Sequence, residues 1–223
     1  MHNGRLKKLR VVLSLLFFVV ITLLFIELFG NIFNYSQLIL LRFQFVPSLV
    51  KFIATFSTAS LGFVFILLLT LLFGRVYCST LCPLGTLQDI LAFLSRKLSP
   101  RKKLFRYRKP FNWLRFGLLA AVILSLFTGS ILLVNFFDPY SAFGKIISNI
   151  FRPSLVAVNN VTSIALAQAD IYWLPRVKWI ALNKAAVALA MGWTVLLVIL
   201  VAKHGRLYCN TLCPVGTLLG LFA

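Results

Sequence analysis

Gly74-Arg-Val-Tyr-Cys-Ser-Thr-Leu-Cys-Pro-Leu-Gly-Thr-Leu87 returns later in the chain as Gly205-Arg-Leu-Tyr-Cys-Asn-Thr-Leu-Cys-Pro-Val-Gly-Thr-Leu218. Eleven of the fourteen positions are identical, which marks a duplicated unit. The two copies hold every cysteine of the chain: Cys78, Cys82, Cys209 and Cys213. A single free cysteine is an ordinary small hydrophobe. Packing alone, however, would not reproduce the same fourteen residues while the flanking segments diverged. Four thiols in two like settings match the ligand count of a tetrahedral metal site or an iron-sulfur cluster.

The duplicated unit lies in a chain made for lipid: 61% of its residues are hydrophobic and only 12% charged, against about 45–50% apolar in a soluble domain. Four stretches reach the length needed to cross a bilayer, about Val11 to Phe29, Phe52 to Phe73, Phe116 to Phe137 and Ala185 to Ala202. Basic residues Arg5, Lys7, Lys8 and Arg10 precede the first, as in a signal peptide. The apolar run is too long for one, though, and Phe29-Gly30-Asn31-Ile32-Phe33 offers no small-x-small cleavage site, so the sequence predicts an uncleaved helix.

The net charge of +19 suggests nucleic acid until its distribution is considered. With the N-terminus inside, sixteen of the 23 Lys and Arg residues fall on the inner side. They lie in residues 1 to 10, from Arg75 to Arg115, and at Lys203 and Arg206. Arg42, Lys51, Lys145, Arg152, Arg176, Lys178 and Lys184 fall outside. This is the positive-inside bias, and it places both termini and both cysteine motifs in the cytoplasm of a bacterial inner-membrane, multi-pass protein. The Lys97 to Lys109 cluster then faces anionic headgroups rather than nucleic acid.

The expected fold is an all-α integral membrane protein with four transmembrane helices in two parallel pseudo-repeats and interfacial amphipathic helices. Residues 1–98 form the first repeat, 99–110 a basic cytoplasmic linker and 111–223 the second repeat. Leu84, Leu87, Leu91, Leu94 and Leu98 recur at helical spacing, with Gln88, Asp89, Arg96 and Lys97 elsewhere, which reads as an amphipathic helix in the interface. Pro153 to Asp170 reads as too polar to span, because of Asn159, Asn160 and Gln168, and as a surface helix instead. Tyr172, Trp173 and Trp179 read as anchors at the outer interface.

Proline after Cys82 and Cys213 places both cysteines at helix N-caps. Exposed N–H groups there, with Arg75, Arg206 and His204 nearby in sequence, are expected to lower the thiol pKa values. Gly85 and Gly216 permit close backbone approach, and Tyr77 and Tyr208 shield the site or hydrogen-bond to sulfur. Two by two, the cysteines suit one four-thiolate centre. A disulfide within each pair competes, but cytoplasm-facing thiols are kept reduced. Soft thiolates suit Cu(I) and zinc as well as iron-sulfur, so ligand type leaves copper or zinc open as the alternative cofactor.

Cys-x-x-x-Cys-Pro-x-Gly at the end of a transmembrane helix, twice in a four-helix unit, resembles the polyferredoxin-like membrane proteins. These include the membrane subunit of the periplasmic nitrate reductase quinol dehydrogenase, the nitrous oxide reductase regulator and the copper accessory protein of cbb3-type oxidases. Asp138-Pro139-Tyr140 also looks like part of this family. The resemblance implies that Cys78, Cys82, Cys209 and Cys213 bind a 4Fe-4S cluster, with Arg75, Tyr77, Arg206 and Tyr208 around it. It further implies electron relay between the quinone pool or a flavin partner and a redox partner protein, as in a quinol dehydrogenase or other oxidoreductase chain. Family members continue into a soluble ferredoxin domain, so ending at Ala223 reads as truncation. The second function class is metal handling, in which the thiolates bind copper or zinc for delivery or reduction. Glu27 is the sole acidic residue inside an expected span and the candidate for a proton or quinone role. No Walker motif or dinucleotide loop is present, and two histidines, His2 and His204, exclude a pair of bis-His haems.

Overall fold

The computed structural model describes residues 2–26, 44–55, 62–74, 76–98, 111–167, 176–179 and 183–222. Among these residues there are helices and no strands. They are α1 (His2–Ile26), α2 (Phe45–Thr55), α3 (Gly62–Phe73), the short α4 (Val76–Thr80), α5 (Pro83–Leu98), α6 (Asn112–Phe127) and α7 (Ile131–Phe137), followed by α8 (Pro139–Ile146), α9 (Arg152–Ala167), α10 (Lys184–His204) and α11 (Pro214–Phe222). A π-helical turn, Ile147–Phe151, joins α8 to α9, and a second, Tyr208–Leu212, precedes α11.

Among the described residues, three stretches are long and apolar enough to cross a membrane: Lys8–Ile26, Pro139–Ala167 and Lys184–Lys203. The first and last agree with the sequence reading. In α1, Ser14, Ile21 and Leu24 are buried while Leu9, Val12, Leu16, Val19 and Leu23 are exposed. A helix apolar all round with one narrow buried stripe keeps its remaining surface for lipid.

The two middle stretches depart from expectation. Phe52 and Phe63 have ring centroids 5.3 Å apart, whereas eleven residues of straight helix would separate them by about 16 Å. One straight helix therefore does not run through both, and α2 lies against α3, with Phe63 N donating to Ser48 Oγ at 2.8 Å. The Phe116 to Phe137 stretch breaks at Thr128-Gly129-Ser130, where Gly129 takes φ +72°, a left-handed conformation that glycine adopts without a steric cost.

Pro139–Ala167 is long and apolar where the sequence suggested a surface segment beginning at Pro153. Proline lacks an N–H, and its ring crowds the carbonyl four residues earlier. Here that carbonyl belongs to Asn149, inside the π-helical turn, whose wider winding absorbs the proline without ending the helix. Of the three polar residues that argued against a span, Asn160 is satisfied internally. Asn160 Nδ2 donates to Val177 O, and Val177 N donates to Asn160 Oδ1, both at 3.0 Å.

The helices that follow the two cysteine motifs pack against both halves, α5 on α1 and α11 on α6 within their own. Helix α5 packs on α8 and α10 of the second half, and α11 packs on α3 of the first. The buried core between them contains Tyr77, Cys82, Leu84, Phe143, Trp193, Leu197, Tyr208, Cys209, Cys213 and Leu219, so the cysteines sit at the centre of the packing. The core face of α5 is Leu84, Gln88 and Ala92, while Phe93, Leu94 and Leu98 are exposed. The leucine stripe is thus shared between core and periphery, and Gln88, expected on the polar side, is fully buried.

Candidate metal centre

The two motifs fold alike. Gly74 and Gly205 take φ +72° and +69°, and each ends the preceding helix by donating its N–H to Thr70 O at 2.8 Å or Val201 O at 3.0 Å. A single turn follows, closed by Cys82 N to Tyr77 O at 3.0 Å and Cys213 N to Tyr208 O at 2.9 Å. Pro83 and Pro214 then open α5 and α11. Cys213 has extended backbone, φ −81° and ψ 114°, and its Sγ accepts from Gly216 N at 3.4 Å, so the sulfur caps the helix as the Cys-Pro pairing implies. Thr86 Oγ1 and Thr217 Oγ1 donate to Cys82 O and Cys213 O at 3.4 and 3.1 Å.

The second glycine of each motif meets a stricter demand. A Cβ on Gly85 would collide with the backbone carbonyl oxygen of Cys78, and one on Gly216 with that of Cys209. No rotamer change relieves a clash with backbone, so only glycine lets the capping turn close over the cysteine four residues before the cap.

The fold brings the motifs together. All six pairings of the four thiols are near enough that charge on one sulfur opposes ionisation of another. Cys82, Cys209 and Cys213 are buried and Cys78 is half-buried. The expected lowering of thiol pKa does not occur. Burial pushes Cys82 and Cys213 well above the ordinary thiol range and Cys209 up to about 12. The Gly85 and Gly216 amides and the Arg206 charge pull the other way but are outweighed, because removing a thiolate from water costs more than one or two donors return.

Tyr77 and Tyr208 line the core beside the cysteines, but their hydroxyls turn away from sulfur. Tyr77 OH donates to Gln44 Oε1 at 3.0 Å and accepts from Phe45 N at 3.2 Å. Tyr208 OH donates to Phe137 O at 3.3 Å. Each tyrosine thereby ties its motif to a helix terminus, the start of α2 in one half and, in the other, the end of α7 just before the start of α8. Asp138 holds that start of α8, its Oδ2 accepting from Ser141 N and Ser141 Oγ, both at 2.9 Å. The side chain of Asp138 therefore caps the helix that follows rather than the one before.

Arg206 is held in a two-pronged ion pair with Asp89 on α5. Gln88, beside Asp89, donates its Nε2–H to Cys209 Sγ at 3.4 Å. Sequence reasoning missed both partners because they cross between the halves. A faint signal existed: the equivalent positions of the second copy are Leu219 and Gly220, so a polar pair stands where the duplicate is apolar. Arg75 and Glu27 lie outside the described residues, as do Tyr172, Trp173, the side chain of His204 and the 99–110 segment.

Comparison with known proteins agrees with this geometry. The model of the 4Fe-4S binding domain family matches residues 56–101 and 185–223, covering both motifs. Both cysteine motifs therefore lie in stretches similar to that family, which supports the resemblance to polyferredoxin-like 4Fe-4S membrane proteins. The ferredoxin-type protein NapH of Haemophilus influenzae is a relative, 25% identical over 162 residues. That alignment takes in 71% of this chain and 42% of NapH, so the chain spans about two fifths of the length of that curated relative. No solved structure matches.

The residues fit the family's cluster better than a lone ion. Among the described residues, no three His, Cys, Asp or Glu side chains stand together as they would around one metal ion. A mononuclear site with bonds of about 2.3 Å needs its sulfurs about 3.8 Å apart. A cluster spreads its ligands over the corners of a cage, and buried thiols in mutual electrostatic contact suit it, since four thiolates require a polycationic core to remain ionised away from water.

Proposed function

We propose that the chain is an electron relay of the bacterial inner membrane, in which Cys78, Cys82, Cys209 and Cys213 hold a 4Fe-4S cluster that takes electrons from a quinol and passes them to a protein redox partner. The observation that carries this reading is the meeting of two like-folded cysteine motifs in one buried core. A bound cluster supplies one-electron storage. The chain's residues hold it, exclude water from three of its four ligands, and leave the Cys78 side the most open.

A cleft of about 450 Å³ adjoins that side, lined by Val11, Ser14, Leu15, Ser79, Asp89 and Phe93 among others. Its walls are apolar, and its polar edge holds a Ser14–Thr86 hydroxyl pair at 2.9 Å and the Asp89 carboxylate. Apolar walls with a few convergent polar groups suit a quinol headgroup and its isoprenoid tail. On oxidation the quinol gives up two electrons singly and two protons, for which water at the polar edge of the cleft is the acceptor. Ser79 and Thr86 of the first motif line this cleft, which makes it the quinone candidate among the described residues.

Ile90→Trp fills the cleft without touching a cysteine. Its iron content should equal that of the native chain, while the rate of reduction by a short-chain quinol falls at least about tenfold and reduction by dithionite is unchanged. Equal quinol rates would remove the cleft from the mechanism, and native protein without iron and acid-labile sulfide would remove the relay.

We place both termini in the cytoplasm on the strength of the basic-residue bias. Reporter domains fused before Met1 and after Ala223 should both register as cytoplasmic; a periplasmic signal from either would reverse that side of the topology.

A further inference from the structure

Gln88 is 0% exposed and sits on α5, a helix of the first half, yet its amide N–H is aimed at Cys209, a cysteine of the second. Its other amide atom, Oε1, is buried and has no hydrogen-bond partner among the described residues. A buried amide with one end unsatisfied costs stability, and the fold does not need it for packing. The duplicated copy fills the corresponding position with Leu219, also 0% exposed. The neighbouring residue acts across the same boundary, because Asp89 clamps Arg206, three residues before Cys209. The second copy has Gly220 there and can return no such clamp. Two otherwise matching motifs are therefore made unequal by one adjacent pair of residues.

We infer that Gln88 is a positioning residue that sets the reduction potential of the centre from the Cys209 side, with the Asp89–Arg206 pair holding the second motif in register for it. A thiolate sulfur can only accept, so the amide presents its N–H. That dipole stabilises negative charge on sulfur, and it does so more strongly once an electron has been added to the centre. Hydrogen bonds to ligand sulfur are among the terms that set cluster potentials. No bond forms or breaks at Gln88 and no proton leaves it. The device is electrostatic and one-sided, acting through the Cys209 ligand of the second motif.

This inference rests on the cluster reading above, and its test separates the two. Gln88→Leu copies the residue at the equivalent position of the second half. Gln88→Met keeps an unbranched side chain of similar length without the donor. Both are purified anaerobically as full chains and titrated electrochemically with the electron paramagnetic resonance signal of the reduced centre as readout. Iron and sulfide content should match the native chain. At a fixed potential the reduced-to-oxidised ratio should fall about tenfold, equivalent to about 59 mV for a one-electron couple. An unchanged potential in an iron-replete variant would overturn the role of Gln88 and leave the relay standing. Loss of iron from both variants would make Gln88 structural and overturn it as well. Native chain without iron would sink the relay itself.

Discussion

Cys82→Ser and Cys213→Ser, each purified anaerobically, should lose the visible absorbance and the paramagnetic signal of the cluster at least about tenfold. The two losses should be equal, because each half supplies two of four ligands and the cysteines occupy the same position in the same turn. Each is the cap of its helix, buried, and in electrostatic contact with the other three thiols. A serine hydroxyl retains the capping hydrogen bond but not the soft thiolate that iron-sulfur chemistry requires. The chain should therefore fold and lack the centre, which far-ultraviolet circular dichroism alongside iron analysis will separate. A cluster unchanged in both variants would mean that the ligands are assigned wrongly.

Gly85→Ala and Gly216→Ala should be almost as damaging, although a methyl group is the smallest possible addition. The added carbon meets the carbonyl oxygen of Cys78 or Cys209, which is backbone and cannot rotate aside. Overpacking of this kind costs on the order of 1–3 kcal/mol. About 2 kcal/mol corresponds to about a thirtyfold shift away from the closed motif. Iron retention during gel filtration should fall accordingly. Gly117→Ala and Gly192→Ala, where a Cβ meets nothing within 4 Å, serve as controls and should retain native iron content. Equal iron retention in all four variants would show that the tight turn around each cysteine does not matter for the centre.

The local motif was legible in the sequence because its causes lie within fourteen residues. Proline after cysteine starts a helix and leaves the cysteine at its cap. A glycine three residues after that cap permits the close approach to the earlier cysteine's carbonyl. The glycine at the head of each copy ends the incoming helix with positive φ. The first and last membrane helices were legible for a related reason, since an unbroken apolar run of that length has few other stable fates.

The middle of the chain misled because hydropathy measures composition and not direction. Phe52 to Phe73 carries no charge, yet Ser48 and Phe52 pair with Phe63, which one straight helix would not allow. Pro139–Ala167 carries asparagines and a proline, yet remains helical, because the π-helical turn accepts Pro153 and Val177 satisfies Asn160.

By itself, then, the sequence determined that this is an apolar helical chain with two cysteine-capped turns of the same construction, since both properties follow from neighbouring residues. Only the tertiary structure decided which helices are continuous and that burial pushes the Cys82, Cys209 and Cys213 thiols up. It also decided that Gln88 and Asp89 reach across to Cys209 and Arg206. Each of these depends on which surfaces meet and how much water they exclude, and residues 117 or more positions apart along the chain meet only when the helices pack.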